Sequence, residues 1–165
     1  MGIHQLNHAV LYVGELARSL AFYTDVLRFS VIVELPGAAF LRAADSTNDH
    51  DLGLFQARNP SAAPVAGIGL YHLAWEVGTL GDLEELRGRL SQAGALIGAS
   101  DHGATKSLYG EDPDGLEFEI VWLVPRELLT GDEQLGVAPL DLPAEITRYG
   151  RDTQGGIGIS LPATP

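Results

Sequence analysis

Leu6-Asn7-His8-Ala9-Val10-Leu11-Tyr12-Val13 and Tyr71-His72-Leu73-Ala74-Trp75-Glu76-Val77 decide the reading of this chain. Both runs are apolar and strand-like, and each carries one histidine at a matching place. In the first, Asn7, Ala9, Leu11 and Val13 share one face by the period of two, and His8, Val10 and Tyr12 share the other. The segments after the two runs are also alike. Leu16, Leu20, Tyr23 and Leu27 recur at spacings of three and four, which predicts a helix from Glu15 to Leu27. Strands are expected at Phe29 to Glu34, Ala38 to Ala43 and His50 to Gln56, with turns at Pro36-Gly37 and at the polar run 45–49.

The later run repeats this order. A strand from Gly69 to Val77 precedes a helix from Asp82 to Ala93, with Leu83, Leu86 and Leu90 on one face and Gly94 as its left-handed stop. Strands at Ala95 to Ala99 and Thr105 to Tyr109 come next. Asp112-Pro113-Asp114-Gly115 makes a turn into the last strand, Leu116 to Val124. The prediction is an α+β chain built from an internal repeat of about 60 residues, two βαβββ modules at about 6–56 and 69–124 within residues 1–125. Residues 58–67 read as a linker. Residues 126–165, rich in proline and glycine, read as a tail packing on the domain or on a partner chain, loose from Asp152 onward.

Composition excludes several functions. The chain has 165 residues, 45% hydrophobic and 19% charged, enough for one core and unlike a disordered chain. Acidic residues outnumber basic ones by 22 to 10, the net charge is -12, and Lys106 is the one lysine. Nucleic acid and anionic membrane need a cationic footprint that this sequence lacks. No apolar run reaches the roughly 20 residues of a membrane span, and the first residues lack a secretory pattern. Cysteine is absent, so a metal here would be held by imidazole and carboxylate, and a cytoplasmic location is expected.

His8 and His72 occupy equivalent places in the two repeats. Glu117 and Glu119 lie in the final strand, with Phe118 and Ile120 pointing the other way. Two histidines and one carboxylate form the facial set of non-haem Fe(II), which leaves positions open for oxygen and substrate. The same donors suit Mn(II), Zn(II) and Ni(II). The residues alone leave open the plainer alternative of separate core or surface roles.

The chain resembles the vicinal oxygen chelate superfamily, which includes glyoxalases, bleomycin-resistance proteins and extradiol dioxygenases. Arg18-Ser19-Leu20-Ala21-Phe22-Tyr23-Thr24-Asp25-Val26-Leu27 is similar to its first-helix signature, and Asp112-Pro113-Asp114-Gly115-Leu116-Glu117-Phe118-Glu119 to its terminal turn and ligand strand. The resemblance covers about Leu6 to Trp122. It implies an incomplete barrel around a metal held by His8, His72 and Glu119, with Glu117 outside the ligand set.

Three further segments resemble the extradiol ring-cleaving branch. They are His50-Asp51-Leu52-Gly53-Leu54, His102-Gly103-Ala104-Thr105-Lys106-Ser107, and Tyr109. That resemblance implies a catecholic substrate and O2 on Fe(II). His50 then stabilises oxygen charge and moves a proton, Tyr109 hydrogen-bonds the substrate, and His102 orients it. Departures are Arg28 where the helix signature has glycine, Leu116 where asparagine is usual, a shorter loop after His102, and one paired-module domain instead of two. The alternatives are a glyoxalase-like isomerase or epimerase, or a non-catalytic small-molecule binding and resistance protein. Gln56 stands at the glyoxalase fourth-ligand place, where it is a poor base, and retention of His8, His72 and Glu119 argues against a pure binding role. A homodimer or larger even assembly is expected, since open sheets leave edges to cover.

Overall fold

Strand pairing makes the same pattern twice. The computed structural model describes residues 2–3, 5–59, 68–131, 133 and 136–156. It divides into two units, Met1–Gly67 with Asp112–Leu116, and Ile68–Glu111 with Glu117–Pro165. Most of the expected linker and the end of the expected loose tail lie outside the described residues.

In the first unit, β1 (Ala9–Val13) leads into α1 (Leu16–Ala21), β2 (Ser30–Leu35), β3 (Ala38–Arg42) and β4 (Leu52–Gln56), in the sheet order β1-β4-β3-β2. β1 runs parallel to β4, and the other pairs are antiparallel. Val13, Leu41, Leu52 and Leu54 are fully buried, and Leu16, Tyr23 and Phe29 join them. In the second unit, β5 (Leu73–Glu76), α2 (Leu80–Gln92), β6 (Leu96–Asp101), β7 (Thr105–Glu111) and β8 (Glu117–Leu123) repeat this as β5-β8-β7-β6. Leu80, Leu83, Leu90, Leu108 and Trp122 form its core. Each unit is an open sheet with one connecting helix, so the expected α+β class and paired βαβββ, glyoxalase-like fold are what the chain adopts.

Beyond β8, the two-residue strand β9 (Ala138–Pro139) pairs with β6, and α3 (Leu142–Tyr149) packs against α2. Leu142 is buried. Among the described residues, β2 therefore has one neighbour and its counterpart β6 has two.

Local structure departs from the expectations at several ends. β1, β4 and β5 begin later than expected, so His8, His50 and His72 precede their strands and do not lie inside them. The expected helix from Glu15 to Leu27 is α-helical only to Ala21 and then widens to a π-turn over Phe22–Val26. It ends at Arg28, whose φ of 67° is positive, where the family signature has glycine. α2 starts earlier than expected because Thr79 and Asp82 form a reciprocal capping box. Gly94 stops it with φ 66°, as expected.

Residues 112–116 connect β7 to β8 yet belong to the first unit. Asp114 accepts hydrogen bonds from the Gly14 N–H at 2.8 Å and the Ser19 hydroxyl at 3.2 Å, and it pairs with Arg18. Asp112 accepts the Tyr23 hydroxyl at 3.2 Å and the N–H groups of Asp114 and Leu116. Burial pushes both the Tyr23 phenol and the Asp112 carboxyl up, because each charged form loses water.

Candidate active site

The six site residues expected from sequence fall into two groups, one in each unit.

In the first unit, His8 and His50 are brought together with ring centroids 4.5 Å apart. His8 sits one residue ahead of the first rung of β1, exposed, with Nδ1 2.8 Å from Asn7 Oδ1. His50 packs edge-on to Phe40, and its Nδ1 lies 3.0 Å from Asp49 Oδ2. That bond holds the exposed Asp49 carboxyl below its usual range. The loop carrying His50 is tied down by buried Asp51. Asp51 accepts from the Ala43 N–H at 2.9 Å, the Ser46 hydroxyl at 2.8 Å and the Asn48 amide at 2.7 Å. The sequence singled out His50, and the organising residue is its neighbour.

In the second unit, His72, Glu119, Tyr109 and His102 make a continuous chain. His72 Nε2 is 3.1 Å from Glu119 Oε2. The Tyr109 hydroxyl is 3.3 Å from Glu119 Oε1 and 2.9 Å from His102 Nε2. His102 Nδ1 is 3.2 Å from the Gly136 carbonyl oxygen. Strand register produces this grouping. Ala74 and Tyr109 both pair with Glu119, one on each side, so the carboxylate stands between β5 and β7. Burial pushes the Tyr109 phenol up, and the nearby Glu119 charge adds to it.

Tyr71 was not expected from sequence. Its ring lies 4.6 Å from that of His72, and its hydroxyl bonds Glu117, which pushes the phenol up. Its place next to His72 is the one signal for it in the sequence.

The same register in the first unit gives different chemistry. Val10 and Phe40 both pair with Gly53. Gly53 therefore takes the place of Glu119, and Phe40 that of Tyr109. The repeat keeps its histidine in both units and its carboxylate in one. Gln56 lies further along β4, and its side-chain oxygen accepts the Leu16 N–H at 3.2 Å. It caps α1, a structural use of the residue read as a fourth-ligand equivalent.

The donor set fits a divalent metal in part. Among the described residues, no group of three or more His, Cys, Asp or Glu side chains is arranged to hold one. In the second unit, an imidazole faces a carboxylate, and His72 Nδ1 is buried without a hydrogen-bond partner. A buried imidazole nitrogen with no hydrogen-bond partner is the kind of group that, in its unprotonated tautomer, a borderline cation takes. No described helix is long and apolar enough to cross a membrane.

The chain belongs to the Glyoxalase/Bleomycin resistance protein/Dioxygenase superfamily, whose family model matches residues 5–120. It is 33% identical over 138 residues to Catechol-2,3-dioxygenase of Bacillus subtilis (strain 168), covering 80% of this chain and 47% of that protein. It is 35% identical over 120 residues to Biphenyl-2,3-diol 1,2-dioxygenase 3 of Rhodococcus globerulus, covering 70% and 62%. The chain thus spans less than two thirds of the length of either relative.

Solved structures share the fold at lower identity. A glyoxylase/bleomycin resistance protein/dioxygenase domain from Frankia sp. EAN1pec matches with TM-score 0.63 and 23% identity, covering 76% of this chain and 95% of that one. The fosfomycin resistance protein FosX of Listeria monocytogenes matches with TM-score 0.56 and 18% identity, covering 73% and 93%.

Proposed function

We propose that the chain acts on a small aromatic diol, cleaving its ring with O2 as a metal-dependent, extradiol-type dioxygenase. The observation that carries this reading is the chain from His72 through Glu119 and Tyr109 to His102. It joins an imidazole and carboxylate suited to a cation with a phenol and imidazole suited to a diol oxygen. Identity of 33% and 35% to two proteins named as dioxygenases of catecholic compounds supports it.

The proposed ligands are His8, His72 and Glu119, and bound Fe(II) supplies redox and Lewis-acid chemistry. Tyr109 hydrogen-bonds one diol oxygen. His102 orients the ring, and His50 carries the proton and offsets developing negative charge. The proposal includes the homodimer or larger even assembly expected from sequence, which light scattering tests.

A second reading is a glyoxalase-like isomerase or epimerase, or a small-molecule binding and resistance protein. Two observations favour it: the lack of a three-donor group among the described residues, and fold likeness to a protein named for fosfomycin resistance. From the structure and the fold likeness alone, this second reading has the better support. The identity with the two dioxygenases favours the first.

Anaerobic loading with Fe(II), and separately with Mn(II), Zn(II) and Ni(II), followed by a panel of catechols in air, separates the two. Oxygen uptake with a yellow ring-cleavage product supports the dioxygenase. Binding of small molecules with no oxygen uptake under any metal supports the alternative.

A further inference from the structure

Lys106 is the one lysine of the chain, and it is 1% exposed. Its Nζ lies 2.6 Å from Asp101 Oδ1 and 2.9 Å from Glu145 Oε2, with the Tyr149 ring 5.7 Å away. The Asp101 contact is a hydrogen bond. The Glu145 contact is an ion pair off hydrogen-bonding angles, since Glu145 Oε2 has no hydrogen-bond partner. A buried ammonium is held only where carboxylates compensate it, and breaking such a pair is costly. Nothing in the proposed reaction uses this amine.

Its partners show what it fastens. Asp101 Oδ1 also accepts the Gly103 N–H at 2.8 Å, so one carboxylate fixes the turn on both sides of His102. Glu145 belongs to α3, in the segment after β8. The same segment pairs Ala138 with Asp101 through β9 and supplies the Gly136 carbonyl to His102 Nδ1. Lys106 therefore ties the His102 turn to the segment that contacts the His102 ring.

That contact has a chemical consequence. A carbonyl oxygen only accepts, so the Gly136 bond requires a proton on Nδ1. In the neutral ring, Nε2 is then an acceptor, and the Tyr109 hydroxyl must donate to it at 2.9 Å. One hydroxyl has one proton. The 3.3 Å approach of Tyr109 to Glu119 then carries no shared proton. The Glu119 oxygen keeps its lone pairs.

We infer that the segment 136–149, anchored by Lys106, is a tautomer lock on His102. It holds the ring proton on Nδ1, turns the Tyr109 proton toward His102, and leaves Glu119 unspent. Lys106 and Glu145 are positioning residues. Without the lock, the ring exchanges tautomers, and the Tyr109 proton is free to turn to Glu119. The consequence for substrate rests on the dioxygenase reading above, but the tautomer is read with neither metal nor catechol present.

The test is long-range ¹H–¹⁵N NMR of the imidazoles in the full chain, at mildly alkaline pH. His102 should show a protonated Nδ1 and a bare Nε2 as a single form. In Lys106→Met and in Glu145→Gln that form should be lost to averaged nitrogen shifts, while the His8 signals stay unchanged. If Lys106→Met fails to fold, Glu145→Gln alone decides. A wild-type ring protonated on Nε2 alone overturns the inference. So does an unaltered Nδ1–H signal in a folded Glu145→Gln. Failure of catechol turnover with the lock intact would count against the proposed activity and not against the lock.

Discussion

Tyr109 stands directly across from Glu119 in the β7–β8 ladder, its hydroxyl 3.3 Å from the carboxylate. Side chains paired across a ladder share a face, so register alone makes this contact. The counterpart pair in the first unit, Phe40 across from Gly53, has no polar group. The two units share a strand order, and the carboxylate and phenol at this register position belong to the second alone.

Under the proposed function, Glu119→Ala removes iron and activity together, because two imidazoles hold Fe(II) weakly. His50→Ala keeps iron and loses activity by roughly 10²–10⁴ in rate, the usual worth of a general acid or base. Tyr109→Phe also keeps iron, with a smaller loss. Bound iron and catechol-dependent oxygen uptake are measured for each variant. Iron lost from His50→Ala but kept by Glu119→Ala would reverse the assignment.

Arg28 occupies a left-handed backbone position, φ 67°, that L side chains adopt at a cost. Arg28→Gly removes that strain, partly offset by the greater freedom of glycine in the unfolded chain. A net gain of roughly 0.5–1 kcal/mol is expected. Urea unfolding measures it, and a destabilised variant would mean that the arginine side chain makes a compensating contact.

Gly110 leaves no space for a methyl group. A Cβ there would lie 2.5 Å from Phe118 Cζ and 3.1 Å from the Ala95 carbonyl oxygen. Gly110→Ala should cost about 1–3 kcal/mol, as overpacked cores do. Adding Phe118→Leu should recover part of that loss, and a thermodynamic cycle reads the coupling. Additive losses from the two changes would show that the ring is not the obstacle.

Asp112 gives a pH signature of definite sign. Its carboxyl is raised in the folded chain, so the folded state binds that proton more tightly than the unfolded state. Its contribution therefore favours folding at low pH and is lost as pH rises from the ordinary carboxylate value through the raised one. Asp112→Asn can still accept the Asp114 and Leu116 N–H groups through its side-chain oxygen. The difference between wild-type and variant stability should change across that mildly acidic window and be flat above it. Urea unfolding at several pH values checks this, and a difference of constant size throughout would remove Asp112 as the source.

Features that depend on neighbours along the chain are legible from residue order. Leucine spacing, strand alternation and turn residues such as Gly94 act locally, so the twofold βαβββ order and the equivalence of His8 and His72 are legible without any tertiary contact. Element ends are less so, because Ala9 begins β1 only where the Asp51 carbonyl, far along the chain, accepts its N–H. Tertiary structure alone decided the rest. Asp-Pro-Asp-Gly reads as a hairpin turn, but Asp112 and Asp114 bond Tyr23, Ser19 and Gly14, each far away in sequence. Gln56 reads as a ligand candidate and is used as a helix cap. Lys106, the one lysine, lies buried between carboxylates from β6 and α3. A hydrogen bond or ion pair between distant residues exists only once both backbones are placed, and no local pattern encodes it.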